Sequence, residues 1–182
     1  MNYLNNIDMN LLYFIQNHLR NKQFDILMPF FTYLGDKGLI WIIISLILIS
    51  IKKYRKEGIV LLSALVLATI LGEGFLKHLV KRPRPFLEVQ SIKLLISKPS
   101  SYSFPSGHTT SSFAAAGVLG YYFKKYKVYF FTLAILIAFS RLYLFVHYPS
   151  DVLAGIILGL LSSGVVLKMF NKRKVDNYEK SK

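Results

Sequence analysis

The chain has no cysteine among its 182 residues, so it forms no disulfide and runs no thiol chemistry. Acidic residues are scarce: nine Asp and Glu stand against 23 Lys and Arg, a formal net charge of +14. No cluster of carboxylates suits Mg²⁺, and no metal or other cofactor is expected. The basic excess is not that of a nucleic-acid binder, because neither a basic-aromatic stripe nor a nucleic-acid-binding motif is present. The first twenty residues lack a basic start followed by an apolar core, so no cleavable signal peptide is expected.

What the chain does have is apolar length. Runs at Leu39–Ile51, Ile59–Leu71, Phe113–Phe123, Val128–Phe139 and Val152–Leu167 each approach the ~20 residues that cross a bilayer. They are apolar on nearly all faces, which rules out the one-sided pattern of a soluble helix. The expectation is an all-α integral membrane bundle with five spans. Phe24–Leu34, only about 16 Å long as a helix, is a half-inserted or kinked sixth. Leu11, Leu12, Phe14, Ile15 and Leu19 interleave with polar residues in Met1–Asn21, the pattern of an interfacial helix. Residues 1–170 form one expected domain, and 171–182 a polar, disordered, cytoplasmic tail.

Basic residues close the apolar runs at 52–56, 124–127 and 172–174. By alternation these fall on one side, and the positive-inside rule makes that side cytoplasmic. The long connection after Lys77 and the turn around His147 then share the outer side. There Lys93 and Lys98 are expected to be solvated, and several other cations require a chemical reason.

Three stretches supply it. Lys77 ends a membrane helix, and Arg84-Pro85 follows in a proline-stiffened segment. Lysine offers a point charge and arginine a planar fork to an oxyanion. Next, Pro105-Ser106-Gly107-His108 opens a helix. Ser106 is placed to cap it, Gly107 to let a ligand approach the backbone, and the free N–H groups to hold an anion beside His108. Last, Ser140-Arg141 leads to His147 and, four residues on, Asp151. A carboxylate that accepts an imidazole N–H leaves the other ring nitrogen free to attack, and Pro149 suits the first turn of the helix carrying Asp151. Glu73, one turn before Lys77, is read as its ion-pair partner. Arg82 and Lys81 are divided equally between headgroup contact and a solvated or lipid-facing role. His18 and His78 are bystanders, and Gly155 with Gly159 is a close-packing pair within the bundle.

In order and spacing these blocks resemble the type-2 phosphatidic acid phosphatase family, which shares its site with vanadium haloperoxidases and class A acid phosphatases. The family pattern is Lys, six residues, Arg-Pro; then Pro-Ser-Gly-His; then Ser-Arg, five residues, His, three residues, Asp. Every fixed position is matched between Lys77 and Asp151. The resemblance implies a helical fold with the site at one end of the bundle, and catalytic roles for His147, His108 and Asp151. His147 would attack phosphorus, Asp151 orient it, and His108 protonate the leaving group and then activate water. Lys77, Arg84, Ser106, Gly107 and Arg141 would bind the phosphate. It implies a metal-independent hydrolase of membrane lipid phosphates, with undecaprenyl diphosphate the first expectation and phosphatidylglycerol phosphate or phosphatidic acid next. A phosphotransferase would use the same phosphohistidine. A haloperoxidase is disfavoured by the apolar spans, and a lipid transporter or scaffold by the grouping of His147, His108 and Asp151.

Overall fold

A computed structural model describes residues 3–89 and 92–179, all of its regular elements helical. Helix α1 (Tyr3–Phe14) runs through a π turn, Ile15–Leu19, to Arg20. Its apolar residues divide between an outward face (Leu4, Ile7, Leu11, Phe14) and buried Met9 and Leu12, as an interfacial helix requires. Helix α2 (Lys22–Leu34) starts under an Asn21 cap and ends at Gly35. After the turn Asp36–Gly38, α3 (Leu39–Ser50) continues at an angle of 43°. The short N-terminal piece is therefore one arm of a bent pair. Gly38 sits at φ 70°, where a side chain would be strained.

Helix α4 (Arg55–Thr69) passes through a π-helical segment, Ile70–Leu76, into α5 (Lys77–Val80). A short α6 (Pro85–Glu88) follows; then come α7 (Gly107–Tyr122), α8 (Lys127–Tyr143) and α9 (Pro149–Glu179). The tail expected to be disordered is thus helical as far as Glu179, and residues 180–182 lie outside the described residues. Among the described residues, three stretches are long and apolar enough to cross a membrane: Lys52–Glu88, Lys124–Tyr143 and Pro149–Lys172. The bent pair α2–α3 is a fourth if it counts as one span. The fifth expected span, α7, has 16 residues, about 24 Å, and is the most enclosed helix: Thr109, Thr110, Ser112–Ala116 and Val118–Gly120 are all buried.

Lipid tails are as apolar as leucine, so such helices associate through close packing rather than through escape from water. Accordingly α7 meets α9 through small residues. A Cβ at Gly155 would come within 2.9 Å of the Ser106 carbonyl oxygen, and one at Gly159 within 2.5 Å of that of Thr110. This contact seats α9 on the first turn of α7, where the Ser106 N–H donates to the Asp151 carbonyl at 3.1 Å. The glycine pair packs inside the bundle, as expected. At the far end, Tyr54 and Phe123 rings meet at 5.6 Å and Asn171 donates to the Tyr121 hydroxyl at 3.0 Å. The basic turns after α3 and α7 therefore lie together beside α9, away from the His147 turn.

Gly159→Ala should destabilise the protein by about 1–3 kcal/mol through overpacking. Gly164→Ala, whose Cβ would meet nothing within 4 Å, should be neutral or slightly stabilising. Thermal unfolding of both variants in the same detergent makes the comparison.

Candidate active site

The two turns that carry the site are built very differently. Residues 144–148 between α8 and α9 are buried throughout, with Phe145 at φ 58°. Tyr143, Leu144, Phe145, Val146 and Tyr148 share an apolar cluster with Met9, Leu12, Met28 and Phe86. His147 is 1% exposed and cannot swing out. Pro149 opens α9 as expected. Asp151, two residues later, reaches back to accept from the Tyr148 N–H at 2.9 Å, the carboxylate half of a capping box.

The direct His147–Asp151 hydrogen bond expected from their spacing is not formed. His147 precedes the helix instead of sharing its face, leaving Nδ1 3.5 Å from Asp151 Oδ2. Ser103 lies between them: its hydroxyl donates to Asp151 Oδ2 at 2.5 Å and stands 3.4 Å from His147 Nδ1. The Ser103 N–H is tied to the Arg82 carbonyl at 2.9 Å. Ser103 lies two residues before the Pro105–His108 block, and in sequence nothing in its neighbours distinguishes it from Ser100 or Ser101.

Three cations converge on the same place, all almost fully buried. Lys77 donates to Glu73 at 2.6 Å, the expected ion pair, and to the Ser101 hydroxyl at 3.4 Å. The widened π turn before it sets this register. Arg84 donates to the carbonyls of Ser101 (2.7 Å), Val146 (2.8 Å) and Tyr102 (3.3 Å). Its Nη1 also lies 3.2 Å from His147 Nε2. Arg141, in the last turn of α8, donates to the Thr32 hydroxyl, while its buried Nε has no partner.

His147, His108, Gly107, Lys77, Arg84 and Arg141 all line one cavity of about 690 Å³. Asp151 lies behind His147. Ser106 is not among the walls either. It is wholly buried, its hydroxyl accepts from Thr109 at 2.9 Å, and its side chain makes no capping bond. The capping role and the direct phosphate contact expected of Ser106 are therefore not provided by this geometry. Gly107 has a specific steric reason: the Glu73 carboxylate occupies the space a Cβ would need. His108 packs against Gly35 and has Asp36 Oδ1 4.0 Å from its Nε2. Asp36, Lys37 and Lys98 also line the cavity. Lys98 is exposed, as expected, while also lining the cavity, and Lys93 is exposed outside it. Arg82 contacts no cavity wall and is neither solvated nor lipid-facing; it pairs with Asp8 and Asp151. The exposed His18 and His78 lie apart from the cavity.

Burial, followed by the charges of Arg84, Arg141 and Lys77, holds His147 well below the ordinary histidine pKa of 6.5. In the unfolded chain the ring takes up a proton near that value; in the folded protein it does not. The contribution of this group to stability is therefore lost as pH falls through about 6.5. Histidine-labelled NMR in micelles should show an imidazole signal that stays neutral below pH 6 and is lost in His147→Asn. That variant should also lose less stability than the parent between pH 7 and pH 5.

A family model described as PAP2 superfamily matches residues 57–174. Undecaprenyl-diphosphatase of Sulfolobus acidocaldarius is 37% identical over 134 residues, which are 73% of this chain and 64% of that protein. The crystal structure of LpxE from Aquifex aeolicus superposes with a TM-score of 0.79 at 32% identity, over 89% of this chain and 95% of the other. The crystal structure of a transmembrane PAP2-type phosphatidylglycerolphosphate phosphatase from Bacillus subtilis gives 0.76 at 27% identity, over 94% and 88%. With the family match covering well over half its length, its apolar helices and its likeness to membrane enzymes, the chain is a membrane protein of the PAP2 superfamily.

Proposed function

We propose that the protein is a membrane lipid phosphatase that hydrolyses a lipid diphosphate or monophosphate through a phosphohistidine, with undecaprenyl diphosphate the first candidate. The observation that carries this reading is a neutral, immobile His147 facing a cavity walled by Lys77, Arg84 and Arg141. Buried cations with so few carboxylates attract a dianionic phosphoryl group, and phosphoryl transfer is accelerated chiefly by positioning and charge neutralisation.

The steps follow from the atoms present. Ser103 and Asp151 hold the Nδ1 side of the ring, which leaves Nε2 as the lone pair facing the cavity. Arg84 donates to that lone pair until a phosphoryl oxygen draws the N–H away. Nε2 then bonds to the terminal phosphorus as its P–O bond to the leaving group breaks, a lipid monophosphate from a diphosphate or a lipid alcohol from a monophosphate, with Lys77, Arg84, Arg141 and the Gly107 amide on the phosphoryl oxygens. His108 gives the departing oxygen a proton and next takes one from water, whose attack breaks the P–N bond and releases phosphate. Ser106 contributes by fixing the start of α7. Relatives named undecaprenyl-diphosphatase and phosphatidylglycerophosphatase B support a lipid substrate, as does a site flanked by apolar helices.

The cavity faces the extracytoplasmic side of the cytoplasmic membrane. The basic turns at the opposite end support this orientation under the positive-inside rule. Residues 1–170 act as one phosphatase domain and 171–182 as its cytoplasmic tail.

Purified protein without added divalent metal should release phosphate from undecaprenyl diphosphate and, in a panel, from phosphatidylglycerol phosphate or phosphatidic acid. His147→Ala should lower turnover at least 10³-fold with lipid phosphate binding largely kept, because the cations remain. A variant with near-normal turnover would end the mechanism. Since the chain has no native cysteine, Ser100→Cys gives a single thiol at the exposed cavity mouth. It should react with an impermeant reagent on intact cells. Labelling only after lysis would reverse the orientation.

A further inference from the structure

Asp8 is the sole charged residue of α1, yet it is 2% exposed. It lies outside the stretch matched by the family model. Its Oδ2 accepts from Arg82 Nη2 at 2.7 Å and from the Ser150 hydroxyl at 2.5 Å, and its Oδ1 from the Ser150 N–H at 2.9 Å. Arg82 uses its other terminal nitrogen on Asp151 Oδ1 (2.8 Å) and Ser150 (2.7 Å), and also reaches Asn5 (2.7 Å). Its guanidinium lies 3.8 Å above the Tyr148 ring. One fork thus spans two buried carboxylates, one on the interfacial helix and one behind the site histidine.

We propose that Asp8 and Arg82 form a positioning couple for phosphoryl transfer: Arg82 fixes the outer oxygen of Asp151, and Asp8 shares the charge of Arg82. Both oxygens of Asp151 are then committed, Oδ2 to Ser103 and Tyr148 and Oδ1 to Arg82, so the carboxylate cannot rotate. The sharing matters electrostatically. A guanidinium paired with Asp151 alone would cancel much of the negative potential that Asp151 presents to His147. With Asp8 drawing on the same cation, more of that potential remains. This sets Asp151 against the positive groups that face the ring from the other elements: Lys77 from α5, Arg84 from the loop before α6, and Arg141 from α8, with His108 across the cavity on α7. A planar five-donor fork is needed for this bridging; a lysine ammonium cannot span it.

The inference rests on His147 being the nucleophile. The test is therefore run on the whole membrane protein, with wild-type phosphohistidine formation from terminally labelled undecaprenyl diphosphate measured alongside. Asp8→Asn keeps the size of the side chain but removes the negative charge and one of its two acceptor oxygens. It should slow single-turnover phosphoenzyme formation three- to thirtyfold, leave KM within twofold, and move the acid limb of the rate to lower pH. Arg82→Lys should lose tenfold or more in the same step. The double variant should be no slower than Arg82→Lys alone, because Asp8 acts through Arg82. Inhibition by metavanadate, which probes the phosphate cradle, should stay within threefold in all three. Wild-type rate and pH profile in Asp8→Asn, or additive losses in the double variant, would overturn the couple. Loss of metavanadate inhibition together with rate would make Asp8 a folding strut and overturn it equally. If the wild type forms no phosphohistidine, the reading of the site fails first and this inference falls with it.

Discussion

The structure is organised around positive charge held away from water. Lys77, Arg84 and Arg141 are each no more than 4% exposed, and among the described residues only Lys77 of the three has a carboxylate within ion-pair distance. Taking a cation out of water costs several kcal/mol unless something replaces its hydration. For Arg84 the replacement is a set of backbone carbonyls, which satisfy hydrogen bonds without cancelling charge. For Arg141 it is incomplete, since the buried Nε has no partner. Such a site is poised for an anion. Burial, and after it the same cations, holds His147 neutral, so one arrangement serves both of the proposed roles, anion binding and nucleophilic attack.

Holding that arrangement requires backbones to approach closely, which explains the central place of α7. Its alanines and the facing Gly155 and Gly159 bring Ser106 and Asp151 to within one hydrogen bond. In the plane of α2 and α3, the bend at Gly35–Gly38 lets Asp36 and Lys37 reach the cavity opposite. The buried Trp41, donating to Ser112 at 3.0 Å, pins α3 to α7 just below. Chemistry at one end of the bundle is thus supported by packing along its whole length.

The parts legible in the sequence are those whose meaning lies in residue type and local spacing. Lys77, Arg84, Gly107, His108, Arg141 and His147 share one cavity wall, and the Glu73–Lys77 pair is a neighbour on one helix. What spacing could not convey is contact between distant segments. Asp8 meets Arg82 across a sequence separation of 74 residues, and in sequence α1 reads only as amphipathic. Ser103 was one serine in a serine-rich loop. The missing His147–Asp151 bond reflects where α9 starts: Tyr148 separates the histidine from the helix that opens at Pro149, and a face-sharing argument fails there. Lys98 has the exposure a loop lysine should have, but that residues 96–101 line the cavity is a long-range contact the loop sequence does not announce.

The carbonyl-lined, cation-rich wall has a further consequence for the end of the reaction. For a phosphatase, the released orthophosphate carries the same doubly charged head that the cradle is shaped to attract, but without a hydrophobic tail to draw it back into the lipid. Its departure must then work against the attraction that favoured arrival. Lys37 and Lys98, exposed members of the same cavity lining, offer the leaving ion footholds outside the buried cradle instead of a single steep climb.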